Sequence, residues 1–275
     1  MRAQSSQLPS RPRNVVVAGK SGAGKQPRID VLIAEFGLRQ LSTGSIFREY
    51  LGAFKKIRGA VDVGGLWAEG RFAPDAEILL ALGPAAEAAG VTPGAALLGF
   101  KAAQYVDRGL FVPDDITNEL LAAAFKAAGS DGLVLDGYPR TPDQSEYLLS
   151  LLAEAGTAVD FVLLVDNDDE AIVARTTGRR ICPDASCGKV FHVQYKPPAA
   201  GGLCTACGRP VIQRSDDTEE KIRTRLAEYQ LKALPAIRVL EARGIPSVHV
   251  EGNLPVFTEE AVRESVLGAI RGLVG

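Results

Sequence analysis

Apolar positions along the chain alternate between unbroken runs and a helical spacing. The runs Val15 to Ala18, Leu133 to Leu135 and Phe161 to Val165 suit strands buried on both faces, and Leu38 to Leu41 and Ser247 to Val250 add two shorter ones. Between the runs, Ile29, Leu32, Ile33 and Phe36 recur on one helical face, as do Tyr147, Leu148, Leu151 and Leu152 and, later, Ile222, Leu226 and Tyr229. Punctuation agrees. The helix predicted over 116–128 stops at Gly129 and that over 145–155 at Gly156, residues suited to helix C-termini. Further helices are predicted to start at Ile46, to run over 168–176, to begin at Asp216 and kink at Pro235, and to close the chain over 258–273. Strands alternating with helices predict an α/β fold whose parallel sheet is covered on both faces.

Two regions break the alternation. Residues 49–113 are rich in Ala and Gly with only short helical patterns, and they contain an echo: Gly70-Arg-Phe-Ala-Pro-Asp75 returns as Gly109-Leu-Phe-Val-Pro-Asp114. Four shared positions in six fit either a partial duplication or coincidence. Residues 175–225 carry ten basic side chains against five acidic ones, in a chain of net charge −2. That local excess suits a polyphosphate, whereas the near-neutral whole argues against bulk nucleic-acid binding. At 275 residues, 46% hydrophobic and 23% charged, the chain has room for one large domain with inserted lobes. Residues 1–13 read as a disordered, polar tail without the apolar stretch of a signal peptide, and no segment reaches the roughly 18 apolar residues of a membrane-spanning helix. A cytoplasmic protein without membrane attachment is therefore expected, and its cysteines should not be structural disulfides.

Chemistry enters at the strand ends. Val15 to Ala18 run into Gly19-Lys-Ser-Gly-Ala-Gly24-Lys25, the spacing of a phosphate-binding loop. In such a loop backbone N–H groups converge on phosphate oxygens while the lysine neutralises charge at a helix N-terminus. Gln26-Pro27 stands where a hydroxyl would reach magnesium. After the second strand, Ser42-Thr-Gly-Ser45 reads either as a ligand site at a strand's carboxyl end or as helix capping by Ser42 or Thr43. After the third, Asp136 can hold magnesium through water or cap a turn, and Arg140 can clamp a phosphate or lie on a solvated surface.

All four cysteines lie in the basic segment, as Cys182-x4-Cys187 and Cys204-x2-Cys207 with 16 residues between the pairs. Four thiolates brought to one point suit tetrahedral zinc with no open position, so the site should be structural, although the first pair is spaced more widely than usual. His192 is either a substitute ligand or a packed ring; His249, within a strand, is read as structural.

Five stretches, in order across nearly the whole chain, are similar to one family. They are the loop at 19–25; Leu41-Ser-Thr-Gly44 with Arg48; Tyr105-Val-Asp-Arg-Gly-Leu-Phe-Val-Pro-Asp114; Leu135-Asp-Gly-Tyr-Pro-Arg-Thr141 with Gln144; and Gly178-Arg-Arg180 through Gln213-Arg-Ser-Asp-Asp217 to Arg225. In them the chain resembles the adenylate kinases, within the nucleoside monophosphate kinases, in the long-lid form that carries zinc. The resemblance implies a P-loop three-layer sandwich with a five-stranded parallel sheet: a core of 14–47, 114–174 and 218–275, an AMP-binding lobe over 48–113 and a zinc-binding lid over 175–217. It also implies a monomeric phosphotransferase that moves the γ-phosphoryl of ATP to AMP with Mg2+. Gly19, Ser21, Gly22, Ala23, Gly24, Lys25 and Gln26 would hold the ATP phosphates, with Arg175 and the backbone near Leu254 on its adenine. Thr43, Arg48, Val112, Gly137, Arg140 and Gln144 would form the AMP site, Gln144 on the base and the two arginines on the phosphate. Arg179 from the ATP side and Arg214 and Arg225 from the AMP side would close on the transferring group, with Lys25 and Arg140 beside it and Asp136 positioning magnesium.

Three departures set up a second reading. The family usually has Gly-Thr where this chain has Gln26-Pro27, and a lost charge-assisted hydrogen bond costs about 1.5–3 kcal/mol, roughly 10- to 150-fold. Ser45 replaces the usual Asp, and the segment from Arg48 to Pro113 is longer than the family's monophosphate lobe. The alternatives are another nucleoside monophosphate kinase, or a nucleotide-binding or regulatory protein that has lost transfer. If transfer survives, Arg28 or the Gln26 N–H is expected to replace the missing phosphate contact.

Overall fold

The structure is a computed structural model and describes residues 11–273 apart from 69, 109, 185, 215, 216 and 256. The chain begins as β1 (Asn14–Ala18), α1 (Lys25–Phe36), β2 (Arg39–Ser42) and α2 (Thr43–Ile57). There follow β3 (Trp67–Ala68), β4 (Arg71–Phe72), α3 (Asp75–Ala88), α4 (Pro93–Val106) and α5 (Asp114–Ala128). The alternation resumes with β5 (Leu133–Asp136), α6 (Pro142–Glu154), β6 (Phe161–Asp166) and α7 (Asp169–Thr177). A hairpin of β7 (Arg179–Ile181) and β8 (Val190–His192) opens the cysteine segment, and α8 (Glu219–Glu228), α9 (Leu234–Ala242), β9 (Ser247–Glu251) and α10 (Glu259–Ile270) follow it.

The central sheet has the order β2-β5-β1-β6-β9, parallel throughout. Alternate residues of one strand face opposite layers, which is why the strand runs are unbroken. Val16, Leu135, Val162 and Leu164 pack with Leu120, Phe125, Leu148 and Ile237 from α5, α6 and α9. Val15, Val17, Leu163 and Val165 pack with Ile29, Leu32, Ile172 and Val266 from α1, α7 and α10. In register, Val17 and Ser42 both lie level with Asp136. The glycine loop, Thr43 and Asp136 therefore emerge at one end of the sheet, where open parallel sheets bind ligands.

One helix differs from expectation. Asp216 lies outside the described residues, α8 begins at Glu219, and a π-helical turn, Tyr229–Ala233, joins it to α9 just before Pro235. Pro235 is the second residue of α9, and the helical backbone runs from the π-helical turn through it without a break.

The segment between α2 and α5 has its own core, built of Phe54, Ile57, Leu66, Ile78, Leu82, Leu97 and Phe100. Gly99 of α4 lies directly against α2, where a Cβ would fall on the Tyr50 carbonyl oxygen, so any larger residue would push the helices apart. The two copies of the echo share a structural role: Pro74 and Pro113 each occupy the cap position, and Asp75 and Asp114 each begin a helix. Gly109 itself lies outside the described residues. Buried Lys101 of α4 joins the two helices, its Nζ lying 3.0 Å from Asp75 of α3 and 3.0 Å from Glu119 of α5. Among the described residues no single helix is long and apolar enough to cross a membrane.

Candidate active site

The loop after β1 turns on Gly19, Gly22 and Gly24, all with positive φ, and Gly24 caps α1 at φ 98°. The Gly24 carbonyl accepts from Arg28 Nη1 at 3.2 Å, and the Gly22 carbonyl accepts from Arg175 Nη2. Both carbonyls are thus held by arginines, and the Ala23 N–H closes the turn on the Lys20 carbonyl at 3.1 Å. Lys25 Nζ lies within the loop, donating to the carbonyls of Gly19 (2.9 Å) and Lys20 (3.0 Å). Burial pulls its ammonium down to about 8, opposed by Asp136 and reinforced by Arg140. Gly252 packs on the loop from the end of β9, where a Cβ would overlap the Ala23 carbonyl oxygen. Leu254, expected near the adenine, lies half-buried just beyond.

Arg28 corrects one expectation. It is fully buried, donates its second Nη to the Glu251 carbonyl and lies 5.4 Å over the Phe257 ring. Its two Nη groups reach backbone carbonyls of the loop and of β9, so it braces the loop instead of replacing a phosphate contact. Burial, then neighbouring Arg175, lower its pKa. Pro27 is the third residue of α1, a position whose N–H has no intrahelical acceptor, so the substitution leaves the helix intact.

Around the end of β5, the Gly137 carbonyl accepts from Thr43 Oγ1 at 3.1 Å and from Arg140 Nε at 2.7 Å. Thr43 is thus engaged with the β5 loop, and neither it nor Ser42 caps α2 through its side chain, which corrects the capping alternative. Arg140 keeps exposed surface, and the protein packed around it lowers its pKa, opposed by Asp136 and Glu228 and reinforced by Arg225. Gln144 is buried, with Oε1 accepting from the Arg140 N–H (2.8 Å) and Nε2 donating to Asp114 (2.7 Å). An amide so oriented keeps one N–H and one lone pair for a base. Asp114, read along the chain only as part of a motif, thereby sets the orientation of Gln144.

The more distant candidates are less converged. Arg48 is exposed and donates to Ser45 Oγ at 2.9 Å, one turn away; Val112 lies at the edge of the core. Arg179 makes a bidentate pair with Asp217, at 2.8 and 2.6 Å, and Asp217 has no exposed surface. Arg214 is exposed and Arg225 half-buried. Asp217→Ala should cost about 2 kcal/mol, since it removes both of these charge-assisted hydrogen bonds, and lower the melting midpoint by about 5 °C. An unchanged midpoint in thermal melting would mean that the pair carries no structural load.

The four cysteine sulfurs lie within 4.8 Å of one another, with Cys182–Cys207 at 3.4 Å and Cys187–Cys204 at 3.7 Å. A tetrahedron with zinc–sulfur bonds near 2.3 Å has edges of about 3.8 Å, so the donor set fits zinc. The wide first pair is folded back by Asp184, which accepts from the Ser186 N–H at 2.9 Å and whose carbonyl accepts from the Cys187 N–H at 3.0 Å. His192 is not in the cluster. Its Nδ1 accepts from Gln194 and Tyr195 N–H groups and its ring stacks on Tyr195 at 4.4 Å. His249 is exposed, 3.6 Å from Asp166.

A parallel sheet with a lysine-bearing glycine loop after β1, an Asp and an Arg at the end of β5, and a four-cysteine segment after α7 define a P-loop nucleotide-binding protein. The adenylate kinase family model matches residues 91–245. The chain is also similar to adenylate kinases from Symbiobacterium thermophilum (35% identical over 258 residues, covering 92% of this chain and 99% of the relative) and Halobacterium salinarum (36% over 232 residues, 84% and 86%). A third, from Anaeromyxobacter sp., is 36% identical over 239 residues, covering 86% of this chain and 91% of the relative. The chain belongs to the adenylate kinase family, and it is an enzyme of the nucleoside monophosphate kinase class.

Proposed function

We propose that the enzyme transfers the γ-phosphoryl of ATP to AMP, giving two ADP. The observation that carries this reading is the convergence of Lys25, Asp136 and Arg140 at one end of the sheet, close enough for their charges to shift one another. On this reading Arg175 and Arg28 brace the loop through its carbonyls, and Lys25 would exchange its loop carbonyls for the ATP phosphates. Thr43, Gly137, Arg140 and Gln144 receive AMP, with Arg48 and Val112 at its edge. Phosphoryl transfer then needs alignment and positive charge on the equatorial oxygens, which Arg140, Arg179, Arg214 and Arg225 are suited to provide. For Arg179 that requires its Asp217 pair to loosen as the segment 175–217 closes over the site and excludes water. Adenylate kinase lids are themselves the standing example of such closure.

Two ions complete the reading. Asp136 fits magnesium: its Oδ1 has no hydrogen-bond donor among the described residues and its side chain is only half-buried. When bound with ATP, magnesium would neutralise charge developing on the phosphates. Cys182, Cys187, Cys204 and Cys207 would hold zinc as a structural clamp on the lid.

The test is ADP formation from ATP and Mg2+ with AMP, UMP, CMP or GMP as acceptor. AMP should be preferred, because the Gln144 amide is fixed with both a donor and an acceptor to offer adenine. ATP binding without ADP formation from any acceptor would support the lost-activity alternative that Gln26-Pro27 raises.

A further inference from the structure

Gln26 is one of the residues that departs from the family, and its side chain is not idle. Gln26 Nε2 donates to Gln40 Oε1 at 3.0 Å while Gln40 Nε2 donates back to Gln26 Oε1 at 3.1 Å, a reciprocal amide pair between the first turn of α1 and β2. Each amide has one N–H left over. That of Gln26 goes to Asp30 Oδ1 at 2.9 Å and that of Gln40 to Asp136 Oδ2 at 3.0 Å. The two carboxylates at the ends accept only, so they fix the direction of both amides: flipping either one would set a carbonyl oxygen against a carboxylate. Position reinforces the chain of bonds. Ser42 lies level with Asp136 in the sheet, which brings Gln40, two residues earlier on the same strand, within reach of the Asp136 carboxylate from the β2 side.

We propose that Gln26 and Gln40 are positioning residues for magnesium-dependent transfer. Together they hold Asp136 by Oδ2 and leave Oδ1 for the water shell of the nucleotide-bound ion. This rests on the role given to Asp136 above. The arrangement gives the Gln26-Pro27 step a use: the hydroxyl lost beside the loop lysine is offset by a carboxylate held in one orientation. Outer-shell partners of metal-binding carboxylates act in this way, by fixing rotamer and charge direction.

The test compares Gln26→Met, Gln40→Met, the double variant and Gln40→Glu with the parent. Two readouts are taken: ATP affinity by titration calorimetry with and without Mg2+, and the Mg2+ concentration that half-saturates ADP formation. Gln40→Met should reduce the Mg2+-dependent gain in ATP affinity by about tenfold, while metal-free affinity moves little. Gln26→Met should shift it in the same direction by less, because Gln40 then loses only its orientation. A relay in series makes the double variant no worse than Gln40→Met alone. Gln40→Glu, which sets a second carboxylate against Asp136, should be worse than Gln40→Met. An unchanged Mg2+ dependence in Gln26→Met, or additive effects in the double variant, would overturn the relay. Asp136→Ala separates the two layers of the argument. If it abolishes the Mg2+ dependence while the glutamine variants do not touch it, the relay alone fails; if Asp136→Ala has no effect either, the role of Asp136 itself is wrong.

Discussion

Lys25→Met should lower kcat/KM for ATP by about 10³-fold, the loss of roughly 4 kcal/mol of transition-state stabilisation. Methionine keeps the length and the apolar stem, so the loop should keep its shape while losing the charge. The parent enzyme carries a related signature in its pH profile. Burial holds the Lys25 ammonium down to about 8, and a neutral amine cannot serve the phosphates. kcat/KM reports the free enzyme, so it should fall about tenfold per pH unit above that value. ATP binding at higher pH should take up a proton, measurable by calorimetry in buffers of different ionisation enthalpy. The stability consequence has the opposite sense. The folded-state value lies below the ordinary 10.5, so between about 8 and 10.5 the unfolded chain holds a proton that the folded one has released, and this group's contribution to stability rises with pH. A kcat/KM profile flat to pH 10 would show that Lys25 is not the titrating group.

Cys204→Ser should lower thermal stability more than it lowers turnover at low temperature. Cys204 is buried and accepts the Ala206 N–H at 3.4 Å, so a serine there would disturb both the cluster and the turn that follows it. Apart from the sulfurs, Phe191 and a few partly buried neighbours, the segment has little apolar core of its own. A zinc clamp would supply what that core lacks. The expected readings are a melting midpoint lower by at least about 5 °C and new protease cleavage confined to 179–217. Chelation of the parent protein should reproduce both. Equal loss of stability and of low-temperature turnover would contradict a purely structural site.

Much of the architecture was legible along the chain, for a local reason. Strand runs such as Val15 to Ala18 and Phe161 to Val165 are unbroken because both faces of the sheet are covered, and a run of that kind has few other uses. The segment between α2 and α5 was less so. Its helices are built largely from Ala, Gly and Leu, so polar residues do not outline the buried face: α4 is buried continuously from Ala96 to Ala103, whereas α3 buries only Ile78, Leu82, Gly83 and Ala86 and leaves Leu80 exposed. The echo of Pro-Asp pairs was visible, but its meaning as two helix starts joined through Lys101 required Asp75 and Glu119 to be brought to one ammonium.

At the site the division is sharper. By itself the sequence determined the chemical inventory: a glycine loop ending in Lys25, an Asp and an Arg after a buried strand, an arginine-rich segment and four cysteines in two pairs. Backbone conformation and residue type suffice for that, because glycines at positive φ and strand-end placement are local properties. Only the tertiary structure decided the partners. It turned Arg28 behind the loop to the carbonyls of Gly24 and Glu251, tied Arg179 to Asp217, and joined Gln26 to Asp136 through Gln40. Apart from the Arg28–Gly24 bond within one helix start, these link residues from separate elements, as far as 223 positions apart for Arg28 and Glu251, and no spacing along the chain encodes them. Gln26-Pro27 read in isolation as a loss; in the folded protein the proline costs the helix nothing and the glutamine has acquired a partner at the site.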